Sequence, residues 1–322
     1  MEKQICRNLW IFMFTCLLVG PAFSQQDAQF TQYMYNGIVY NPAFSGKGDG
    51  FQFSGLHRSQ WAGYNTAAGL GGAPSTQLLT ASGGFENYNL GFGLVFVNES
   101  IGATSNQEAN LSLAYHYKMG RGVLSVGASA GMFASKIDFD LLELINPDLV
   151  VPAGGSESQY NVNFSAGALY DRGNVYVGVS GRHLNQPDFD FGEGQFGNQL
   201  KLHTYLLAGY RLKASAFWSV EPSVLLKAVE VDNFSYDVSV IASYNNKVSG
   251  GLSYRGEESA SVILGYSLLN DNSLRLGYAF DLVVGGLEAK SPTSHEFMLS
   301  YSLPKARRSV ERIIQRTPRF RF

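Results

Sequence analysis

Residues 110–119 read NLSLAYHYKM, and this stretch alternates strictly between two kinds of side chain. One face carries Leu111, Leu113 and Tyr115, whereas the other carries short or polar side chains such as Ser112. Successive side chains of a β-strand point to opposite faces of the sheet. The stretch therefore predicts a strand with one apolar and one polar face.

The same period of two recurs along the chain after Phe51, in stretches bounded by Gly, Asn, Asp or Pro. An even number of strands is typical of a bacterial single-chain barrel. We predict about 14 strands, near residues 51–58, 75–84, 90–97, 107–119, 122–134, 160–170, 173–183, 199–212, 216–228, 233–245, 247–255, 259–268, 273–281 and 293–303.

Two features favour a transmembrane barrel over a soluble β-sandwich, which shows the same alternation. Apolar faces carry aromatic residues near their ends, as at Tyr210 and Tyr244, and such residues form girdles at membrane interfaces. Polar faces carry unlike charges such as Arg255 and Glu296, for which a wet lumen has room but a sandwich core does not. We predict an all-β fold, a transmembrane antiparallel β-barrel over residues 51–303.

The alternation also assigns neighbouring residues to opposite faces of the barrel wall. In one predicted strand Val240 lies on the lipid face and Ser239 on the lumen face. We expect an arginine at position 239 to be tolerated better than one at position 240, because it would point into the wet lumen.

Residues 1–24 have the organisation of a secretory signal peptide. Lys3 and Arg7 precede the apolar run Leu9–Val19, and the small residues Ala22 and Ser24 occupy the −3 and −1 positions of a cleavage site. The apolar run is too short to span a bilayer, which needs roughly 20 residues. We expect cleavage after residue 24.

The composition is unusual for a soluble domain. Charged residues make up 16% of the chain, against roughly 25% in a typical soluble protein. After the signal no apolar run reaches the length of a transmembrane helix, and only helices and closed barrels satisfy the backbone inside lipid. Both cysteines, Cys6 and Cys16, lie in the signal, so we expect neither a disulfide nor a Cys-based metal site in the mature chain.

The lengths of the connections predict an orientation. Short turns, such as residues 120–121 and 245–246, alternate with long loops at residues 98–106, 135–159 and 184–198. Outer-membrane barrels have short periplasmic turns and longer outer loops. Because the strand number is even, both ends of the mature chain are expected in the periplasm.

The sequence indicates no catalytic, cofactor-binding or metal site. The five histidines show no metal-ligand spacing, and there is no GxSxG motif. We therefore expect the histidines to be lumen or rim residues, while a Ser-His-acid site assembled from distant strands stays open. They are His57, His116, His183, His203 and His295.

Residues 304–322 form a basic tail, with seven basic residues and one acidic residue. Such a tail is either a solvated end or a docking element for an acidic partner or for inner-leaflet headgroups. A nucleic-acid partner is implausible in the periplasm. Arg307, Arg308 and Arg312 are our candidate docking residues.

The segment after the signal carries the most specific motif: residues 26–36 read QDAQFTQYMYN and residues 40–46 read YNPAFSG. This opening resembles the signature of the PorP/SprF family of type IX secretion system membrane proteins. Gly37 and Ser45 depart from residues common in that family. Weaker matches follow at residues 58–61 (RSQW), 251–255 (GLSYR), 277–281 (GYAFD) and 294–301 (SHEFMLSY), so the resemblance covers nearly the whole mature chain.

The resemblance implies an outer-membrane protein of Bacteroidota-type bacteria that helps secrete or anchor a large surface protein, often a gliding adhesin. It implies no catalytic residues. The implied partners are the secreted cargo protein, through its C-terminal domain, and periplasmic and outer-membrane components of the secretion system. The barrel surface itself would contact outer-membrane lipid, and no nucleic acid is involved.

Residues 25–50 precede the barrel and are rich in amides and aromatic residues that must be buried somewhere. Two places are open: the barrel lumen, where the segment would act as a plug, and the surface of a periplasmic partner. Our candidate partner-binding residues in this segment are Gln29, Gln32, Tyr33, Asn36, Asn41 and Pro42.

These observations favour a non-enzymatic barrel that holds or guides a secreted protein. An outer-membrane porin or small-solute channel is the alternative, and an outer-membrane hydrolase is less favoured. A porin would conduct ions through an open lumen, and a hydrolase would lose activity on a single His or Ser change. A secretion component would instead bind a specific protein.

Overall fold

The alternating stretches form a continuous antiparallel sheet, because each can place its apolar side chains on one common face. The computed structural model describes residues 27–48, 50–64, 72–142, 154–191, 196–230, 233–285 and 291–303. The predicted signal peptide and the basic tail, with Arg307, Arg308 and Arg312, lie outside the described residues.

The strands come in chain order, and nearly all of them pair with their sequence neighbours. They are Phe51–Ser59 (β1), Ser75–Phe85 (β2), Leu90–Ile101 (β3), Thr104–Met119 (β4), Gly122–Asp138 (β5), Ser156–Asp171 (β6), Val175–Arg182 (β7), Asp188–Phe191 (β8), Phe196–Gln199 (β9), His203–Tyr210 (β10), Leu212–Lys213 (β11), Trp218–Val229 (β12), Asn233–Tyr244 (β13), Val248–Arg255 (β14), Ser259–Leu268 (β15), Leu274–Val283 (β16) and Thr293–Leu303 (β17).

The sheet closes on itself, since β1 pairs with β17 from Phe51 opposite Leu303 to Ser59 opposite His295. Strands β10 and β11 are two halves of one wall strand, because both pair with β12. The ladder between them is interrupted beside Pro222, which has no N–H to donate. The wall therefore has 14 strands, and the predicted antiparallel barrel is confirmed.

Some predicted loops are wrong. Residues 98–106 were expected to form a long loop, but β3 and β4 continue through them and meet at a turn of two residues, 102 and 103. The alternation of apolar and polar residues is absent here because side-chain amides occupy the strands. The Asn98 side chain donates to Gln77 Oε1 (2.6 Å), and the Gln107 side chain donates to Asn98 Oδ1 (3.0 Å). The predicted loop 184–198 similarly contains the separate hairpin of β8 and β9.

The two faces of the wall match the predicted alternation, with one correction. Val240 is on the outer face and 45% exposed, as expected for a lipid-facing residue. Ser239 faces inward, but it is buried and shares a 2.7 Å hydrogen bond with Ser253. An arginine at position 239 would have no space, so the expectation of a wet lumen is wrong at this depth.

The segment before β1 fills the lumen, which answers the question that the sequence left open for residues 27–48. We call residues 27–48 the plug. It contains two 3₁₀ turns, Tyr33–Tyr35 and Pro42–Phe44, and one short helix, Gly37–Tyr40 (α1). Phe30, Tyr33 and Tyr40 are among its buried side chains, and they pack in one core cluster with wall residues. No helix in the described part of the chain is long and apolar enough to cross a membrane.

Charge on the outer face should destabilise the barrel according to depth. We predict that Val240→Arg lowers the free energy of unfolding by roughly 2–4 kcal/mol, because it places a cation in the hydrocarbon. Val248→Arg is the matched control, since Val248 is also outward-facing but adjoins the turn between β13 and β14. There we expect a loss of only about 0–1 kcal/mol. Equal losses in urea unfolding from lipid vesicles would contradict the assigned depth.

Candidate functional site

The plug runs along the lumen from one rim of the barrel to the other. At its start Asp27 contacts Arg182, the last residue of β7, on the rim of the long loops. At its end Lys47 forms an ion pair with Asp171, the last residue of β6, on the rim of the short turns. Residue 303, the last residue of β17, lies on that same short-turn rim.

This path bears on the prediction that both ends of the mature chain lie in the periplasm, which stays a prediction because residues 25–26 and 304–322 lie outside the described part of the chain. An even number of strands does return the chain to its starting rim. The plug, however, crosses the lumen once more before β1, so Asp27 lies near the rim opposite to Leu303. A count of strands alone does not include this extra passage of the chain through the lumen.

A wall carboxylate holds the beginning of the plug through backbone amides. The N–H groups of Thr31 and Gln32 donate to the two oxygens of Glu296, at 2.8 and 2.9 Å. Arg58 neutralises this carboxylate at 3.1 Å and that of Asp281 at 2.7 Å. The Thr31 hydroxyl also donates to Asp281 at 2.9 Å. All these groups are buried, so the plug completes an ion cluster of the wall.

A second cluster joins Asp27 to the long-loop rim. Its carboxylate, only 6% exposed, accepts hydrogen bonds from Arg182 (2.8 Å) and from the Tyr205 hydroxyl (2.6 Å), and contacts His183 Nε2 (2.7 Å). Burial alone would raise the pKa of the Asp27 carboxyl, but the charges of Arg182, His203 and His183 hold this pKa well below its ordinary value. Asp27 is therefore charged.

Polar side chains also fix the middle of the plug. The Asn41 carboxamide oxygen caps the turn after it by accepting from Ala43 N at 2.9 Å, while its Nδ2 donates to two wall carbonyls, of Ala168 and Val179. The Ser180 hydroxyl donates to the Tyr40 carbonyl at 2.7 Å. One asparagine thus ties the turn to both β6 and β7.

The aromatic residues of the plug find polar partners as well. The Tyr33 hydroxyl shares a 3.1 Å hydrogen bond with Ser223. Arg275 donates to the Tyr35 hydroxyl at 2.7 Å, and its guanidinium lies 4.2 Å from the centre of that ring. This cation–π contact fixes the plug toward the short-turn half of the lumen.

Glycines in the wall let the plug backbone come close. A Cβ at Gly91 would lie 2.0 Å from the Ser45 carbonyl oxygen, and one at Gly127 would lie 2.5 Å from the backbone of Pro42 and Ala43. Both distances are far below van der Waals contact. The plug therefore fits only because these wall positions are glycines, which have no Cβ.

The hairpin of β8 and β9 contributes a second layer near the long-loop rim. Phe189 and Phe191 of β8 are fully buried and pack with Phe133, Phe139 and Leu200. Beneath this aromatic cluster the plug leaves little free volume. A cavity of about 20 Å³ beside Asp27 has room for roughly one water molecule.

The structure places every candidate residue of the plug inside the barrel. Gln29 accepts a 2.8 Å hydrogen bond from Lys227, and the others make the wall contacts given above or pack beside them. Gln32, Tyr33, Asn36, Asn41 and Pro42 are buried. Their role in binding a partner stays a prediction, as does that of the tail arginines outside the described residues.

Sequence spacing missed one group altogether. Asp27, His183 and His203 come together at the long-loop rim, each offering a ligand atom within 4.8 Å of the others. They are separated by at least 20 residues, so no spacing motif could show them. The only signal is that His183 ends one predicted strand and His203 lies near the beginning of the next.

Comparison with known families decides the assignment. The sequence profile of the family described as "Type IX secretion system membrane protein PorP/SprF" matches residues 22–301. The chain belongs to the PorP/SprF family. It is therefore an outer-membrane component of type IX secretion, as the resemblance implied. No curated protein sequence matches this PorP/SprF chain significantly.

Solved outer-membrane barrels share the fold of this PorP/SprF protein at low sequence identity. The toluene transporter TodX of P. putida is 11% identical, with a TM-score of 0.50 over 84% of this chain and 95% of TodX. A FadL homologue of Pseudomonas aeruginosa is 12% identical, with a TM-score of 0.46 over 78% of this chain and 90% of that protein. At 11% identity the likeness to TodX shows the fold alone.

The close approach at Gly91 gives a direct test of plug docking. Gly91→Ala should lower the free energy of unfolding by about 1–3 kcal/mol, because the added methyl group overlaps the plug backbone. Gly55→Ala is the control, since its Cβ would meet only the Leu79 side chain at 3.5 Å. We expect a change within about 0.5 kcal/mol there.

Urea unfolding of both variants, with and without residues 27–46, checks the origin of the loss. The cost of Gly91→Ala should disappear once the plug is deleted. An unchanged cost in the plug-less barrel would show that Gly91 serves the wall and not the plug.

Proposed function

We propose that this protein is a sealed, non-enzymatic barrel that holds or guides a secreted or surface-anchored protein during type IX secretion. The observation that carries the proposal is the plug, which fills the lumen from Asp27 to Lys47 and is bonded to the wall at both ends. A barrel closed in this way acts through its rims.

The filled lumen argues against the alternative of a porin. Beside the first cavity, a second one next to Pro42 measures only about 10 Å³. The wall charges that a porin would present to water are buried here, as at Arg58, Lys227 and Glu296. Family membership in secretion supports the same choice.

The two rims would serve different partners. We place the long loops outside the cell, following the rule for outer-membrane barrels, and the short turns in the periplasm. The long loops would hold the cargo, such as a gliding adhesin, by its C-terminal domain. The basic tail follows β17 at the short-turn rim, where Arg307, Arg308 and Arg312 would dock periplasmic secretion components.

The six candidate residues of the plug take a different role in this proposal. In the docked state they bind the barrel itself, so contact with a partner would require the plug to leave the lumen. Their amides and aromatic rings hold the seal, and the outer face contacts outer-membrane lipid.

Conductance separates the sealed barrel from the channel. In planar bilayers the intact protein should show no large, steady pores, whereas a variant without residues 27–46 should conduct. The control locks the plug: Ser45→Cys with Ser112→Cys joins positions whose hydroxyl oxygens are 2.6 Å apart. After oxidation to the disulfide, this variant should show no conductance at urea concentrations at which the wild type conducts. Steady pores in the intact protein would support the porin instead.

The docking role of the tail is tested with two variants that each lose three positive charges, at different places in the tail. Changing Arg307, Arg308 and Arg312 to Gln should leave barrel assembly intact and abolish capture of periplasmic secretion components. The matched control changes Arg316, Arg319 and Arg321 to Gln. Capture by the wild type should weaken with salt, since exposed charges are screened beyond about 8 Å at physiological ionic strength. If both triple variants capture like the wild type, the tail does not dock.

A further inference from the structure

Two neighbouring wall strands bring a pair of histidines to the start of the plug. His203 begins β10, and it lies directly opposite Arg182, the last residue of β7. His183 follows Arg182 with φ of +57°, in the left-handed region that side chains other than glycine rarely adopt. In a regular strand its side chain would point away from the lumen. This backbone turn instead directs the imidazole inward, toward Asp27.

Each of the three side chains has a hydrogen bond that fixes its orientation. His183 Nδ1 lies 3.0 Å from Asn163 Oδ1, and Asn163 Nδ2 donates to Glu108, which fixes the amide orientation. His203 Nδ1 donates to the Lys201 carbonyl at 2.9 Å. Both bonds place a proton on Nδ1, so Nε2 is the atom that can coordinate a metal ion once any proton on it has left, as in metal-binding histidines.

The third side chain is held in the same manner. Asp27 Oδ2 accepts from Arg182 and Tyr205, which leaves Oδ1 facing His183 Nε2 at 2.7 Å. His203 is 2% exposed, and its Nε2 has no hydrogen-bond partner within the described part of the chain. A buried nitrogen without a partner is rare in folded proteins, and its lone pair is available to a ligand.

We propose that Asp27, His183 and His203 bind one divalent transition metal ion of the Zn²⁺ class, which clamps the plug to the barrel wall. Two imidazoles and a carboxylate form a common donor set for such ions, and nitrogen donors disfavour Mg²⁺ and Ca²⁺. The ligand atoms must open slightly to reach Zn–N distances of about 2.0–2.1 Å. Any proton on His183 Nε2 leaves to solvent as the ion binds.

The local charges suit a dication. Asp27 and Glu108 are negative and share one arginine, Arg182, which pairs with both. With both imidazoles neutral, Asp27, Glu108 and Arg182 together carry a net charge of −1. The small cavity beside Asp27 has room for a water molecule as a further ligand. The competing arrangement replaces the metal by a proton, with His183 as an imidazolium ion paired to Asp27.

Metal binding to the purified full-length barrel tests the proposal without reference to secretion. After treatment with EDTA, titration with Zn²⁺ should give one ion per chain, and Co²⁺ should give visible absorption of a nitrogen-ligated site. His203→Gln and Asp27→Asn should each weaken binding at least tenfold. His57→Gln is the control, because His57 lies on the outer face, and it should bind like the wild type.

Two further readouts keep the test decisive. Asp27→Asn alters the plug and not the wall, so heat-modified mobility on gels should show a folded barrel. In an Ala28→Cys variant, Zn²⁺ should slow maleimide labelling, and EDTA should restore it. Absence of a bound ion, or equal binding by wild type, His203→Gln and Asp27→Asn, would overturn the metal site in favour of the protonated ion pair.

Discussion

The buried charges of the inner wall are the constraint on which the rest of the structure depends. The plug removes the water that would hydrate them, and an unpaired charge in such a place costs several kcal/mol. The register of the sheet pairs some of these charges. Arg58 stands directly opposite Glu296, and Asp237 directly opposite Arg255, so opposite charges meet across neighbouring strands.

The plug supplies hydrogen-bond donors that the register of the sheet does not provide. Glu296 still needs donors after Arg58 is placed, and the plug brings the N–H groups of Thr31 and Gln32. Backbone groups can serve as donors only if the two chains approach closely. At other places along the plug, close approach depends on glycines of the wall: a Cβ at Gly91 would overlap the Ser45 backbone, and one at Gly277 would overlap the Gln32 side chain. The plug is therefore held both by hydrogen bonds to buried wall charges and by close backbone contact at wall glycines.

The sequence predicted what depends on periodicity and missed what depends on assembly. The lipid-facing side of Val240 and the inward direction of Arg255 and Glu296 follow from a period of two, which any half-buried strand shows. The plug has no period, so its aromatic residues indicated burial without a location. The meeting of Asp27 with His183 depends on strand register and on one left-handed residue, neither of which leaves a pattern in the sequence.

Separation of plug and wall would be less costly than the number of their bonds suggests. If the plug left, water would enter and hydrate the wall charges, which remain paired with one another, as Arg58 is with Asp281. The main loss would be the burial of Phe30, Tyr33 and Tyr40, each worth roughly 1.5–3 kcal/mol. Water would replace the plug N–H groups at Glu296, whereas nothing within the barrel would replace the burial of the aromatic rings of the plug. A clamp at Asp27 would therefore act at the end of the plug that lies farther from β1, because the other end continues into β1.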